Sequence, residues 1–282
     1  MTPDAALVAP LLENEFLLDG GSGTYHREIS SRWENSDDRI FGGYSAALSF
    51  AAAARESPHG TFCSGHVMFL EGVHAGRIEL VVTPLRVGRS VAAMRVEGLQ
   101  DGRRVLATAV WLRSAPTPDA PSGAILQAQG PDHGVPLAWL PNLFKFHQWL
   151  ETRGIDYPSS VEAFGVDRKP SVDVWLRPKA QPLPAGMMTQ LFDILVADAH
   201  ISDCQLRASA CDPAALVSLD LAIQWTSVLH RPGWRRMQAF TPPVADGSAA
   251  CVATISDETG FTCATAAQQT WIIRRKTPAA TG

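Results

Sequence analysis

A carboxylate set among apolar helix residues is the first place in this chain where side-chain types could do chemistry. Within residues 187–203, Met188, Leu191, Phe192, Leu195, Val196 and Ala199 recur at the three-and-four spacing of a helix with one buried face, and Asp198 sits among them. Partial burial raises a carboxyl group toward the working range of a general base. An exposed, solvated carboxylate near a helix C-terminus fits the same letters. Asp193 is the competing acid; at that separation on a helix the two lie on different faces, so only one points inward.

A second candidate lies in residues 261–274. Strand alternation places Cys263, Thr265, Ala267, Gln269, Trp271 and Ile273 on one mainly apolar face, with Gln268, Thr270 and Arg274 opposite. Gln269 is therefore expected to be a buried amide in need of partners, at a site or on the backbone. Ser218 groups by alternation with Asp220 and Gln224, on the polar side, unless a bulge or the start of the strand turns it inward. His66, within an apolar strand, is expected to be structural or to hydrogen-bond near a site. Gly42-Gly43 precede an alanine-rich helix over residues 45–55 and leave its first N–H groups sterically open, so a Gly43 or Tyr44 N–H is a candidate donor to an anion; a plain tight turn is the alternative.

Positioning these groups needs a large core, and the composition provides one. The chain has 282 residues, 46% of them hydrophobic and 18% charged, which excludes general disorder. A net charge of −4 without a basic stripe argues against a nucleic-acid partner. No apolar run reaches the length of a membrane span. The acidic start (Asp4, Glu13, Glu15) predicts no secretory signal, and five dispersed cysteines without a CxxC pair predict reduced thiols, no zinc site and a cytoplasmic protein. There is no Gly-x-Ser-x-Gly elbow.

In order, the chain predicts a short strand at 25–29, the helix at 45–55, and strands at 62–70, 77–85, 90–99 and 104–113, the last three as an antiparallel meander. Prolines 116, 118, 121, 131 and 136 mark a linker. The pattern then restarts: strands at 160–166 and 172–177, the 187–203 helix, and strands at 216–226, 235–240, 248–256 and 261–274. The endings match in detail, since Gln100-Asp101-Gly102 and Trp111-Leu112-Arg113 are answered by Glu258-Thr259-Gly260 and Trp271-Ile272-Ile273-Arg274. We expect a duplicated unit, residues 1–115 and 141–276, joined by a linker at 116–140 and followed by a tail at 277–282.

One helix wrapped by a long antiparallel sheet, twice in tandem, resembles the double hotdog fold, an α+β architecture. Phe41-Gly42-Gly43, His66-Val67-Met68-Phe69-Leu70 and Leu85-Arg86-Val87-Gly88-Arg89-Ser90 resemble the N-terminal half of the acyl-CoA thioesterase II family. Val172-Asp173-Val174-Trp175, Ala197-Asp198-Ala199, Ser218-Leu219-Asp220 and Ala267-Gln268-Gln269 resemble its C-terminal half. The resemblance implies a catalytic water held by an Asp, a hydroxyl residue and a Gln, falling here on Asp198, Ser218 and Gln269; Gly43, Tyr44 and His66 are expected as substrate contacts from their own positions. Ser218 stands where better-known members have Thr, and Glu71-Gly72 replaces an Arg-Pro. It implies an acyl-CoA substrate, hydrolysed to free acid and coenzyme A, with no cofactor or metal; a homo-oligomer is compatible with it.

Two other readings share the fold. A hydratase or dehydratase needs an Asp and a His reaching one substrate, and Asp198-Ala199-His200 with Asp203 keeps it open although the Asn-Pro-x-His pattern is absent. A non-catalytic acyl-binding protein is the third. The first half has no acid between Tyr44 and Arg55, so one working site is expected rather than two.

Overall fold

The strand periods translate into one very long antiparallel sheet. The computed structural model describes residues 12–35, 38–114, 129–164, 166, 168–179, 185–209, 216–226, 231–243 and 247–272. In chain order the elements are α1 (Leu12–Glu15), β1 (Asp19–Gly21), β2 (Thr24–Ile29), α2 (Gly42–Glu56), β3 (Thr61–Phe69), β4 (Gly76–Val87), β5 (Val91–Gln100) and β6 (Arg103–Arg113). There follow β7 (Val135–Pro136), α3 (Leu140–Leu143), β8 (Leu150–Asp156), α4 (Val161–Phe164), β9 (Ser171–Pro178), α5 (Met187–His200) and α6 (Asp203–Ser209). The chain closes with β10 (Leu216–Ser218), β11 (Asp220–Trp225), β12 (Arg235–Phe240), β13 (Ser248–Asp257) and β14 (Thr262–Ile272).

The sheet runs β1-β2-β4-β5-β6-β3-β11-β14-β13-β12-β9-β8-β7, with β10 beside β14. Read outward from the β3–β11 junction, each side first meets the last strand of a meander, then its middle, then its first. The expected meander over β4, β5 and β6 is present; its second turn is Asp101-Gly102, both at positive φ, which lets two residues reverse the chain with the twist of the strands.

α2 and α5 pack against each other on one side of the sheet, and most side chains of both are buried. Small residues make this possible, because Ala46, Ala47, Ala51, Ala52 and Ala53 let a second helix approach closely. Phe50, Phe62 and Trp225 meet beneath the β3–β11 junction with centroids 5.3 to 5.9 Å apart. Buried Gln190 of α5 accepts from the Phe62 N–H at 3.0 Å and donates to the Phe62 carbonyl at 2.9 Å. A bulge at Cys63 leaves those two groups outside the β3–β6 ladder, so the α5 amide satisfies them.

Four expected elements differ, one of them the strand at 216–226, which is divided into β10 and β11. Residues 160–166, expected as a strand, contain the one-turn helix α4, because the Ser160 hydroxyl accepts from the Ala163 N–H and caps a helical turn. The helix expected over 187–203 breaks after His200, and α6 follows as a separate piece. The glycines expected ahead of the first helix are its first turn. Of the expected linker, residues 116–128 lie outside the described residues, as does the 277–282 tail, while 135–136 form β7 on the edge of the sheet. Among the described residues no helix is long and apolar enough to cross a membrane.

Candidate active site

The α2–α5 contact brings Asp198, near the end of α5, against the start of α2. An alanine at Gly42 would place its Cβ 2.9 Å from Asp198 Oδ2, and one at Gly43 would place it 2.9 Å from Asp198 Cβ. Only glycines allow this approach, and the Gly43 N–H donates to the carboxylate. From the sheet, Gln268 Nε2 donates to Asp198 Oδ1 at 2.6 Å. Burial pushes the Asp198 carboxyl up to about 6, against the pull of the Gln268 and Gly43 hydrogen bonds, and the charge of Asp203 adds to the rise. That is the range of a carboxylate able to take and return a proton near neutral pH. Gly43→Ala is expected to push α2 off α5, destabilising the fold by about 1–3 kcal/mol and lowering turnover; thermal melts and steady-state rates check this.

Asp198 opens onto a cleft of about 620 Å³. Its walls are the start of α2 (Phe41, Gly42, Ser45), the end of β3 (Phe69), the α5–α6 corner (Ser202, Asp203), β10 (Ser218) and the aromatic segment carrying Phe144 and Phe146. Phe41 and Phe146 stack at 3.9 Å, so part of the wall is a flat apolar surface. Polar and apolar groups share the walls, as they do in small-molecule sites. Among the described residues no cluster of His, Cys, Asp and Glu could hold a metal ion.

The amide beside Asp198 is Gln268, and the placement of Gln269 is corrected. Along β14, Cys263, Ala264, Ala266, Gln268 and Thr270 are buried while Ala267, Gln269 and Trp271 are exposed. The phase reverses because Ile255 pairs with Ala264 but Ser256 with Thr262, leaving Cys263 as a bulged extra residue. Gln269 lies on the outer face, where its amide reaches Ser248 Oγ at 3.4 Å and its N–H donates to Asp220 Oδ1.

Ser218 is turned inward by a second irregularity. The partners on β14 step from Ala222–Ala267 to Ser218–Thr270, four residues against three, so one residue is extra around Leu219. Ser218 therefore shares the face of buried Thr270 and lines the cleft.

The expected substrate contacts are corrected in part. The Gly43 backbone lies against the Asp198 side chain. Tyr44 points into the core, its ring stacked on Trp33 at 4.2 Å, its hydroxyl donating to the Glu15 carbonyl and its N–H to the Phe41 carbonyl. His66 is on the outer face beside Asp220 at 3.1 Å, because buried Val67 takes the inward direction of β3. Asp193 is committed elsewhere: Arg235 Nε donates to it at 2.7 Å and Trp225 Nε1 at 3.1 Å, all of it buried. His200 is fully buried behind Asp203, so among the described residues no histidine lines the cleft beside Asp198 as a hydratase requires.

Residues that the periodicity did not single out are Tyr157 and His147, which join His200 and Asp203 in a buried polar cluster behind the cleft wall. The aromatic richness of 139–149 was its only sequence signal.

Residues 29–114 match the acyl-CoA thioesterase N-terminal domain family and residues 126–272 the acyl-CoA thioesterase C-terminal domain family. Among solved structures, a proposed thioesterase from Novosphingobium aromaticivorans is 25% identical, with TM-score 0.75 over 92% of this chain and 98% of that one. A hot dog fold protein of unknown function from Alicyclobacillus acidocaldarius is 17% identical, with TM-score 0.79 over 94% and 98%. An acyl-CoA thioesterase II from Mycobacterium marinum is 19% identical, with TM-score 0.73 over 95% and 99%. No curated protein matches the chain. With both family domains matched in order along one sheet of hotdog type, the chain belongs to the acyl-CoA thioesterase family and is a thioester hydrolase.

Proposed function

We propose that the protein hydrolyses acyl-CoA thioesters with a water activated by Asp198 and oriented by Gln268 and Ser218. The observation that carries this reading is the hydrogen bond from the buried Gln268 amide to Asp198, the cleft-lining carboxyl that is raised to about 6. In the reaction, water attacks the acyl carbonyl as Asp198 takes one of its protons. The tetrahedral intermediate then collapses, the C–S bond breaks, and the coenzyme A sulfur leaves with that proton or as thiolate. Fifteen residues of α2 point their N-terminus at this region, and the positive end of the helix favours the oxyanion and the ionised Asp198 alike. Ser218 supplies a hydroxyl from the facing wall.

We read the sheet as two hotdog units joined at β3 and β11, residues 1–115 and 141–276. The mirrored strand order supports this, and so does the equivalent place of α2 and α5 on their halves. The α2 half carries no acid to match Asp198, so this reading leaves one working site.

Free-thiol release from a panel of acyl-CoAs tests the reading, together with a pair of neighbouring variants. Gln268→Ala is expected to lower kcat by about 10²-fold with little change in KM, since a positioned donor acts mainly in the transition state. Gln269→Ala, on the outer face, is expected to leave kcat within about twofold. The reverse result would reassign the amide, and no thiol release from any acyl-CoA would favour the acyl-binding reading.

A further inference from the structure

The walls of the Asp198 cleft change character from one part to another. Arg39, Leu70 and Glu71 line an exposed rim. Phe41 and Phe146 line it too, yet they are only 4% and 3% exposed, so this part of the cleft is enclosed. Two close approaches bring aromatic rings to the carboxylate. A Cβ at Gly43 would lie 2.5 Å from the Phe41 ring and 2.9 Å from Asp198 Cβ, and one at Gly42 would lie 2.9 Å from Asp198 Oδ2 and 3.3 Å from the Phe69 ring. From Phe41 the aromatic surface continues to Phe146, stacked on it with centroids 3.9 Å and planes 9° apart, and on to Phe144 at 5.9 Å.

Phe146 belongs to neither of the helices that bring Asp198 and Gly42 together. It sits in a short helical turn, Lys145–Trp149, that is pinned to the segment after β2. Lys145 Nζ donates to Glu34 Oε2 at 2.6 Å, and the Arg32 guanidinium lies over the Trp149 ring at 5.5 Å. The ring is therefore held from outside, against an aromatic surface that starts beside the carboxylate.

We propose that the Phe41–Phe146 stack is the closed end of an acyl pocket: the protein takes acyl-CoAs whose acyl group is apolar and uncharged, and Phe146 sets the longest chain accepted. The proposal rests on the reading of Asp198 as the base. With the thioester carbonyl at Asp198, its sulfur and acyl substituents diverge from one carbon. The coenzyme A arm, polar and charged, belongs toward the exposed rim, which leaves the acyl chain to run along Phe41 toward Phe146. Methylenes buried against these rings favour binding, and the stacked pair then blocks further carbons. Among the described residues the lining holds no lysine, and its arginine, Arg39, is at the rim. A chain ending in a carboxylate would therefore bury its charge at the aromatic end without a cation.

The test compares kcat/KM for thiol release across straight-chain acyl-CoAs, beside calorimetric binding of the matching S-alkyl-CoA thioethers, which are not hydrolysed. In the wild type kcat/KM is expected to climb about fourfold per added methylene to an optimum and to fall beyond it. Phe146→Ala and Phe146→Leu are expected to move the optimum to longer chains, raising the ratio of a longer chain to the wild-type optimum by about tenfold. Phe146→Trp is expected to move it to shorter ones, so the Leu and Trp variants still decide the matter should the Ala variant not fold. The ratio within one variant does not depend on how much of it is folded. A loss shared equally by all chains marks Phe146 as packing only and overturns the proposal. So does an unmoved optimum, or equal turnover of an acyl-CoA whose chain ends in a carboxylate. If Asp198→Asn stays active, the base assignment fails by that result alone, while the thioether affinities still report whether Phe146 limits the chain.

Discussion

Asp198→Asn is expected to lower kcat by about 10²–10⁴-fold and at the same time to raise thermal stability at pH 8. The two effects share one cause. Asparagine keeps the shape of the side chain and an oxygen for the Gln268 amide, but it cannot take a proton from water. In the folded chain the carboxyl is raised to about 6 from 3.8, so between these values the folded state binds more protons than the unfolded one. Stability from this group therefore falls as pH rises through that window, and the cost is fully present above about pH 6. Its size is at most roughly 3 kcal/mol, and Asn removes it. Melts at pH 5 and pH 8 should show a gain at pH 8 that shrinks at pH 5. Turnover within tenfold of wild type would remove Asp198 from the proposed role.

The largest stability effect is expected at the other buried acid. Arg235 and Asp193 are both fully buried; Arg235 also donates to the Arg231 carbonyl at 2.7 Å and the Trp234 carbonyl at 3.2 Å. Arg235→Leu leaves Asp193 with the Trp225 indole as its remaining donor among the described residues. The expected loss is about 3–5 kcal/mol, a fall in Tm on the order of 10 °C, with kcat of the folded fraction unchanged. Burial already raises the Asp193 carboxyl, against the pull of Arg235, so losing Arg235 raises it further. The defect should therefore ease as pH falls and Asp193 protonates. The double variant Asp193→Leu with Arg235→Leu should recover much of the loss, because a buried pair contributes far less than a broken one costs. A loss under about 1 kcal/mol in Arg235→Leu would show the pair to be hydrated and the core looser than described.

That two acids on one helix have opposite duties was partly legible beforehand. Helical spacing separates Asp193 from Asp198 and admits only one to a given face, and Asp193 is fully buried against an arginine while Asp198 is half-buried at a cleft. The arginine that decides this lies on β12, far along the chain, and no local pattern links it to Asp193.

Periodicity and turn residues were enough to locate the meanders β4–β6 and β12–β14 and the helical core of α5, because these depend on local pattern. They also singled out Asp198 and the Gly42-Gly43 pair. The face of each β14 residue was beyond them. Alternation assigns faces only relative to a phase, and one bulged residue at Cys263 exchanges Gln269 for Gln268, while another near Leu219 turns Ser218 inward. Whether a bulge forms is settled by pairing with a neighbouring strand, which no single strand's letters encode. The same holds for the Tyr157–His200–Asp203 cluster, whose members come from three segments that meet only when α5 breaks and α6 folds against the sheet. Residue types and spacing determined which elements form and which groups could react; contacts distant in sequence decided which of those groups meet.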